Sequence, residues 1–336
     1  MSRCNRPFLG ATALLVILLF CDACSASGTL PSPGSVPSSS PIAQARPTAT
    51  DGRGLTGKGS RTATPLPTPA VLVGAGDIAG CGSEKDEGTA RLLDHIAGTV
   101  FTLGDNVYPD GTEEQFSHCY DLTWGRHRAR TRPSPGNHDY HVAGASAYFK
   151  YFGAAAGEVD KGYYSYELGN WHIIALNSEC GEAGGCRSDS PQGQWLEADL
   201  AAHPSTCTLV YWHSPLFNSG SHHGNDEHMQ GFWQLLYDAG VDIVLNGHEH
   251  LYERFAPQDP NGGADPEHGV RQFTVGTGGK KLYSFGTIQP NSEVRNSDTH
   301  GVLKLTLYAT SYDWEFVPIA GGAFTDSGSA DCVSPP

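Results

Sequence analysis

Four short apolar runs in this chain each stop at a residue that can bind a metal ion. "AVLVGAGD" ends at Asp77, "VFTLGD" at Asp105, "CTLVYWH" at His213, and "VDIVLNGHEH" carries His248 and His250. Runs of this length, bounded by turn residues, read as buried strands. Helical patterns separate them. One covers 84–98, with Ala90, Leu93 and Ile96 on one face. A second covers 190–203, with Ser190 as cap and Pro191 in the first turn, and a third covers 226–240. Strands alternating with helices predict an α/β fold. "YYSYELGNWHIIALNS" (163–178) reads as a hairpin about Gly169 and Asn170. "RQFTVGTGG", "GVLKLTLYA" and "YDWEFVPI" read as further strands near the end of the chain, which makes the sheets mixed.

The polar ends of the runs then matter. In α/β sheets, functional groups gather beyond the carboxyl ends of the strands. One Asp after a strand is ordinarily a cap or turn residue. Five polar clusters at such positions, counting "PGNHDY" (135–140), need another explanation. Their donors are oxygen and imidazole nitrogen, with no thiolate nearby, which suits hard or borderline ions. They are too many for one tetrahedral zinc. Two ions, bridged by a carboxylate, fit better.

The rest of the chain bounds the setting. It has 21 Lys+Arg against 36 Asp+Glu, a formal charge of −15. That field repels polyanions and argues against nucleic acid as a bulk partner. An anionic substrate would need a local positive centre, such as a bound ion. At the N-terminus, Arg3 and Arg6 precede the apolar run 8–20 and "CDACSAS", the layout of a secretory signal over 1–24. Ala23-Cys24 resembles a lipobox end, and ordinary cleavage near Ala26 is the alternative. Residues 25–69 are a Pro/Ser/Thr-rich linker, too poor in apolar residues to fold. The folded domain is expected over 70–336. Its six cysteines, Cys81, Cys119, Cys180, Cys186, Cys207 and Cys332, imply up to three disulfides, with Cys180–Cys186 the clearest pair. The protein is therefore expected outside the cell or at its surface, touching a membrane only through a lipid on Cys24.

The blocks GD-IAG, GD-NVY, GNHD, H-SP and GHEH, in that order, resemble the calcineurin-like metallophosphoesterases over about Val71 to Phe255. That family implies an αββα sandwich of two packed mixed β-sheets flanked by helices, with a dinuclear site at the strand ends. Most members carry His two residues after the first Asp, where this chain has Ala79. It has instead Tyr108, three residues after Asp105, which resembles the purple acid phosphatases. A tyrosinate there favours Fe(III). By that resemblance Asp77, Tyr108 and His250 would bind Fe(III), and Asp105 would bridge. Asn137, His213 and His248 would bind a divalent ion (Fe, Zn or Mn). His138, His222 and His223 would face the phosphate and supply the acid, with no choice among them. The implied activity is hydrolysis of phosphate monoesters by in-line attack of a metal-bound hydroxide. The alternatives are a phosphodiesterase or nucleotide pyrophosphatase on the same site, or a surface binding protein that keeps the fold without turnover.

Several residues carry weaker expectations. Asp139 and His141 either orient ligands or close their turn. Glu253 and Arg254 are expected to pair below the site. "RHRART" (126–131) is expected to be a solvated face, and "VGTGGK" (275–280) a turn after a strand, since it lacks the phosphate-loop spacing. His95, His118, His127, His172, His203, His228, His268 and His300 have no motif context and are expected at the surface or in packing.

Overall fold

A computed structural model describes residues 68–333. The predicted signal at 1–24, with Cys24, and the predicted linker up to residue 67 lie outside the described residues.

In chain order the described residues form β1 (Ala70–Ala75), β2 (Ala79–Gly80), α1 (Lys85–His95), β3 (Thr99–Leu103), β4 (Val107–Tyr108), α2 (Glu113–Gln115) and β5 (Thr131–Ser134). They continue with α3 (Ser146–Phe152), β6 (Tyr164–Leu168), β7 (Trp171–Ala175), α4 (Pro191–Ala202), β8 (Cys207–Tyr211) and α5 (Gln230–Asp238). The remaining strands are β9 (Ile243–Asn246), β10 (Tyr252–Phe255), β11 (Arg271–Val275), β12 (Ser292–Asn296), β13 (Gly301–Leu307), β14 (Ser311–Pro318) and β15 (Ser327–Asp331).

Two large mixed sheets result. One has six strands in the order β15-β14-β13-β1-β3-β5, the other seven in the order β12-β10-β11-β9-β8-β7-β6. The first is parallel across β1, β3 and β5, and the second across β7, β8, β9 and β11. Antiparallel strands complete both, as the hairpin and the late strands predicted. Leu72, Phe101 and Leu103 from one sheet and Tyr211, Leu245 and Phe273 from the other belong to one buried cluster. A second cluster sets Val210 and Val244 against Leu196 of α4 and Phe232, Trp233 and Leu236 of α5. Both faces of the seven-stranded sheet are covered, which is why its parallel strands read as unbroken apolar runs.

Local signals held where they were strong. The Ser190 side chain accepts from the Gly193 N–H, with Pro191 opening α4. Gly169, at φ 66°, turns the β6–β7 hairpin. Cys180 pairs with Cys186, Cys81 with Cys119, and Cys207 with Cys332. Among the described residues no helix is long and apolar enough to cross a membrane.

One expectation needs correction. Glu253 and Arg254 do not pair, because neighbours on a strand point to opposite faces. Arg254 binds Asp326 and Glu293, whereas Glu253 accepts from the Ser219 N–H and the Ser292 hydroxyl. The basic run is solvated at Arg126, Arg128 and Ala129, as expected, and two of its arginines are also hydrogen-bonded. Arg126 bonds Glu87 and Asp94 of α1 at 2.8 Å, and Arg130 donates to the Leu93 carbonyl in its last turn and to the Gly98 carbonyl beyond it. These arginines dock α1 rather than attract a ligand.

Candidate metal centre

The parallel strands carry the predicted donors to one edge. Asp77 follows β1, Asp105 follows β3, Asn137 follows β5, His213 follows β8 and His248 follows β9. The two sheets meet there, where the Gly76 N–H donates to the Val275 carbonyl and the Gly278 N–H to the Gly76 carbonyl. Three of the donors stand at left-handed backbone angles: Asp77 at φ 59°, Asp105 at 47° and His248 at 68°. Non-glycine residues adopt such angles uncommonly, with Asp and His among the more tolerant, and three of the six such positions among the described residues are donors. The preceding glycines make the crowding tolerable. A Cβ on Gly104 would strike the His213 ring, and one on Gly247 would strike the Leu103 carbonyl and the Asp77 carboxylate.

The seven predicted ligands all converge, and they divide into two groups. The Tyr108 hydroxyl lies 2.9 Å from Asp77 Oδ1, 2.8 Å from Asp105 Oδ2 and 3.0 Å from His250 Nε2. On the other side His213 Nε2 lies 3.3 Å from Asp105 Oδ1, 3.2 Å from Asn137 Oδ1 and 3.1 Å from His248 Nδ1. Asp105 therefore turns one oxygen to each group. Donors around an ion bound at about 2.1 Å stand roughly 3.0–3.4 Å apart, so each group has the span of one ion's ligand shell.

The surroundings fix which ring nitrogens face inward. The His213 Nδ1–H donates to the Leu103 carbonyl at 2.6 Å, and the His250 Nδ1–H to the Lys281 carbonyl at 2.8 Å. Each Nε2 keeps its lone pair for the centre, the arrangement expected of ligating histidines. The charges argue likewise. Burial draws the His213 ring down, but Asp105 outweighs it and pushes it up to about 10. Burial pushes the Asp105 carboxyl up, but His213 and His138 outweigh it and hold it far below its ordinary range. Burial, reinforced by Asp105 and Asp77, pushes the Tyr108 phenol well above its usual value. Two buried carboxylates thus draw protons onto neighbours that could instead share a cation. The donor set fits two ions.

All three predicted catalytic histidines border this centre. The His138 ring packs on Tyr108 at 4.4 Å, and the His223 ring stacks on His248 at 3.9 Å. His222 reaches it through Tyr283, which stacks on His222 at 3.8 Å and on His250 at 4.0 Å. Asp139 closes the turn and ties it to the Asp105 loop, accepting from the Gly136 and Asn106 N–H groups and the Asn106 amide. Its neighbour His141 is exposed, with Nδ1 near the Pro109 carbonyl.

Two residues went unnoticed in the sequence. Glu249, fully buried, accepts from the backbone N–H groups of His222 and His223 at 3.1 Å and contacts His223 Nδ1 at 3.0 Å. Burial pushes its carboxyl up, but His223, the His222 backbone and Asn218 outweigh that and hold it low. A charge between two predicted ligand histidines, His248 and His250, at a strand end was the available signal. Tyr283 offered none, because its partners are far away in sequence.

The family model for calcineurin-like phosphoesterases matches residues 69–252. Among relatives, Purple acid phosphatase 22 of Arabidopsis thaliana is 39% identical over 153 residues, 43% of this chain and 34% of that protein. Purple acid phosphatase 21 of the same plant is 31% identical over 270 residues, 72% of this chain and 58% of that protein. The matched parts thus span less than two thirds of either relative. A purple acid phosphatase from yellow lupin (Lupinus luteus) seeds shares the fold, with TM-score 0.63 and 20% identity over 79% of this chain and 54% of that one. With its blocks at five strand ends and its family match over more than half its length, the chain belongs to the calcineurin-like phosphoesterases.

Proposed function

We propose that this protein is an exported, dinuclear metal-dependent phosphatase that hydrolyses phosphate monoesters, with Fe(III) and a divalent ion as its metals. The observation that carries this reading is Asp105, whose two oxygens face two separate donor groups at 2.8 and 3.3 Å. Asp77, Tyr108 and His250 would hold Fe(III), and Asn137, His213 and His248 the divalent ion. The ions supply positive charge for the phosphate oxygens and acidify water near neutral pH.

The protein's own groups do the rest. Asp105 sets the spacing of the two groups. The Leu103 and Lys281 carbonyls hold the His213 and His250 rings in one tautomer. Of the three flanking histidines, His223 alone has a carboxylate within 3.0 Å. Glu249 holds the proton on His223 Nδ1 and leaves Nε2 to carry one to the leaving oxygen. This makes His223 the preferred acid, with His138 and His222 contacting phosphate.

The test compares p-nitrophenyl phosphate with bis(p-nitrophenyl) phosphate as substrates for the metal-loaded protein. Faster turnover of the monoester is expected. Preference for the diester would replace the monoesterase reading, and no turnover of either would replace the enzyme reading.

A further inference from the structure

We propose a second metal site, for a zinc-like divalent ion, formed by His172, Asp199 and His203. His172 stands at the start of β7 and pairs in register with Thr208 of β8. The candidate metal centre lies past the other end of these strands. His213 is five residues beyond Thr208, roughly 16 Å along the chain. The two sites are thus separate.

One donor atom from each of the three residues lies within 4.8 Å of the others. Asp199 and His203 are four apart at the end of α4, a spacing that puts two ligands on one helix face. His172 Nε2 lies 2.8 Å from Asp199 Oδ2, and His203 Nδ1 lies 3.4 Å from Asp199 Oδ1. Behind these donors stands a supporting layer of the kind that metal sites use. Glu167, across the hairpin, sits 2.7 Å from His172 Nδ1 and would take its proton, leaving Nε2 for the ion. The Ser165 hydroxyl donates to Asp199 Oδ1 at 2.7 Å and fixes that carboxylate.

Charge points the same way. Among the described residues, Asp199 and Glu167 form ion pairs with histidines alone, and no Lys or Arg joins them. Two carboxylates around one buried imidazole keep a net negative charge even when the ring is protonated, which favours a bound cation. The site is also reachable. His172 is 1% exposed and Asp199 8%, but the His203 side chain is 46% exposed. An ion can enter on that side, and water can fill a fourth position. One adjustment is needed. The His172 and His203 rings stack at 4.6 Å, only 13° from parallel, so their in-plane lone pairs do not yet converge. His203 must turn about its side chain and release the Asp199 carbonyl, 2.9 Å from its Nδ1. Its exposure leaves room for that turn. The bound ion would fasten the end of α4 to the β6–β7 edge of the sheet.

The test counts zinc. Wild type, His203→Ala and His203→Gln, each a full chain carrying the ions of its other centre, are incubated with zinc and freed of excess by gel filtration. Bound zinc is measured by mass spectrometry, with circular dichroism checking that all three are folded. The wild type should retain about one equivalent more than either variant. Added zinc should also raise the thermal midpoint of the wild type only. Equal zinc counts in the three proteins would overturn the site and leave His172 as an imidazolium held between two carboxylates.

Discussion

Asp105 links the two donor groups through one side chain. It is nearly fully buried, its backbone is left-handed, and each oxygen meets a different donor group. Tyr108 is the residue that tests the iron assignment. With iron bound, the wild type should show a visible charge-transfer band, and Tyr108→Phe should lose the band together with its iron. A variant that keeps both would make Tyr108 a packing residue. Glu249 makes a different prediction. Glu249→Gln keeps the shape but loses the charge beside His223, so kcat should fall by about 10–100-fold while metal content stays near wild type. Asp77, Asp105, His213 and His248 were legible in the sequence because each sits just after its own apolar strand, whereas Tyr108, inside β4, was legible only through the resemblance. Glu249 and Tyr283 were not, since their roles arise only when the 219–224 loop folds over the strand ends.

Among the elements, the segment 280–286 binds the site together. Ser221 donates to the Ser284 carbonyl at 3.0 Å, Gly286 to the Ser219 carbonyl at 2.8 Å, and Tyr283 to the His250 carbonyl at 2.8 Å. Tyr283 fills the space between His250 and His222, so Tyr283→Ala should free His222 and raise KM more than it lowers kcat. Equal effects on both would show a wider collapse. At α4, Ser190→Ala should cost about 1 kcal/mol in urea unfolding, since it removes the N-cap acceptor of Gly193. Strands with strong apolar runs were readable, as was the hairpin. β10, β12 and β15 were not. β12 has no fully buried residue and β15 alternates between exposed and partly exposed ones. β10, "YERF", is buried throughout, but its charges are satisfied only by residues distant in sequence. The 108–137 stretch, left unassigned by its sequence, folds into short helical turns and β5.

For the whole molecule, stability should depend on pH through Asp242. Burial pushes its carboxyl up to about 7, although the Thr208 and Val333 N–H groups favour the charged form. Between the unfolded value near ~3.9 and about 7, the folded chain holds a proton that the unfolded chain has lost. Stability should therefore fall as pH rises across that window, by up to a few kcal/mol. Asp242→Asn should flatten the slope in urea titrations at pH 4 and 7, and an unchanged slope would remove Asp242 as its source. While the two packed sheets were implied by the resemblance to the calcineurin-like phosphoesterases, an α/β layout with mixed sheets and donors at the strand ends was legible from the alternation of strands and helices. The pairing of Cys207 with Cys332 was not, because it spans 125 residues.

That disulfide has a consequence for presentation. Cys207 begins β8, at the opposite end of the strand from His213, and Ala70 begins β1, at the opposite end from Asp77. Both ends of the described domain thus emerge on the face away from the donors, roughly 20 Å behind them. A support coupled at either end would leave the donors directed outward, away from that support.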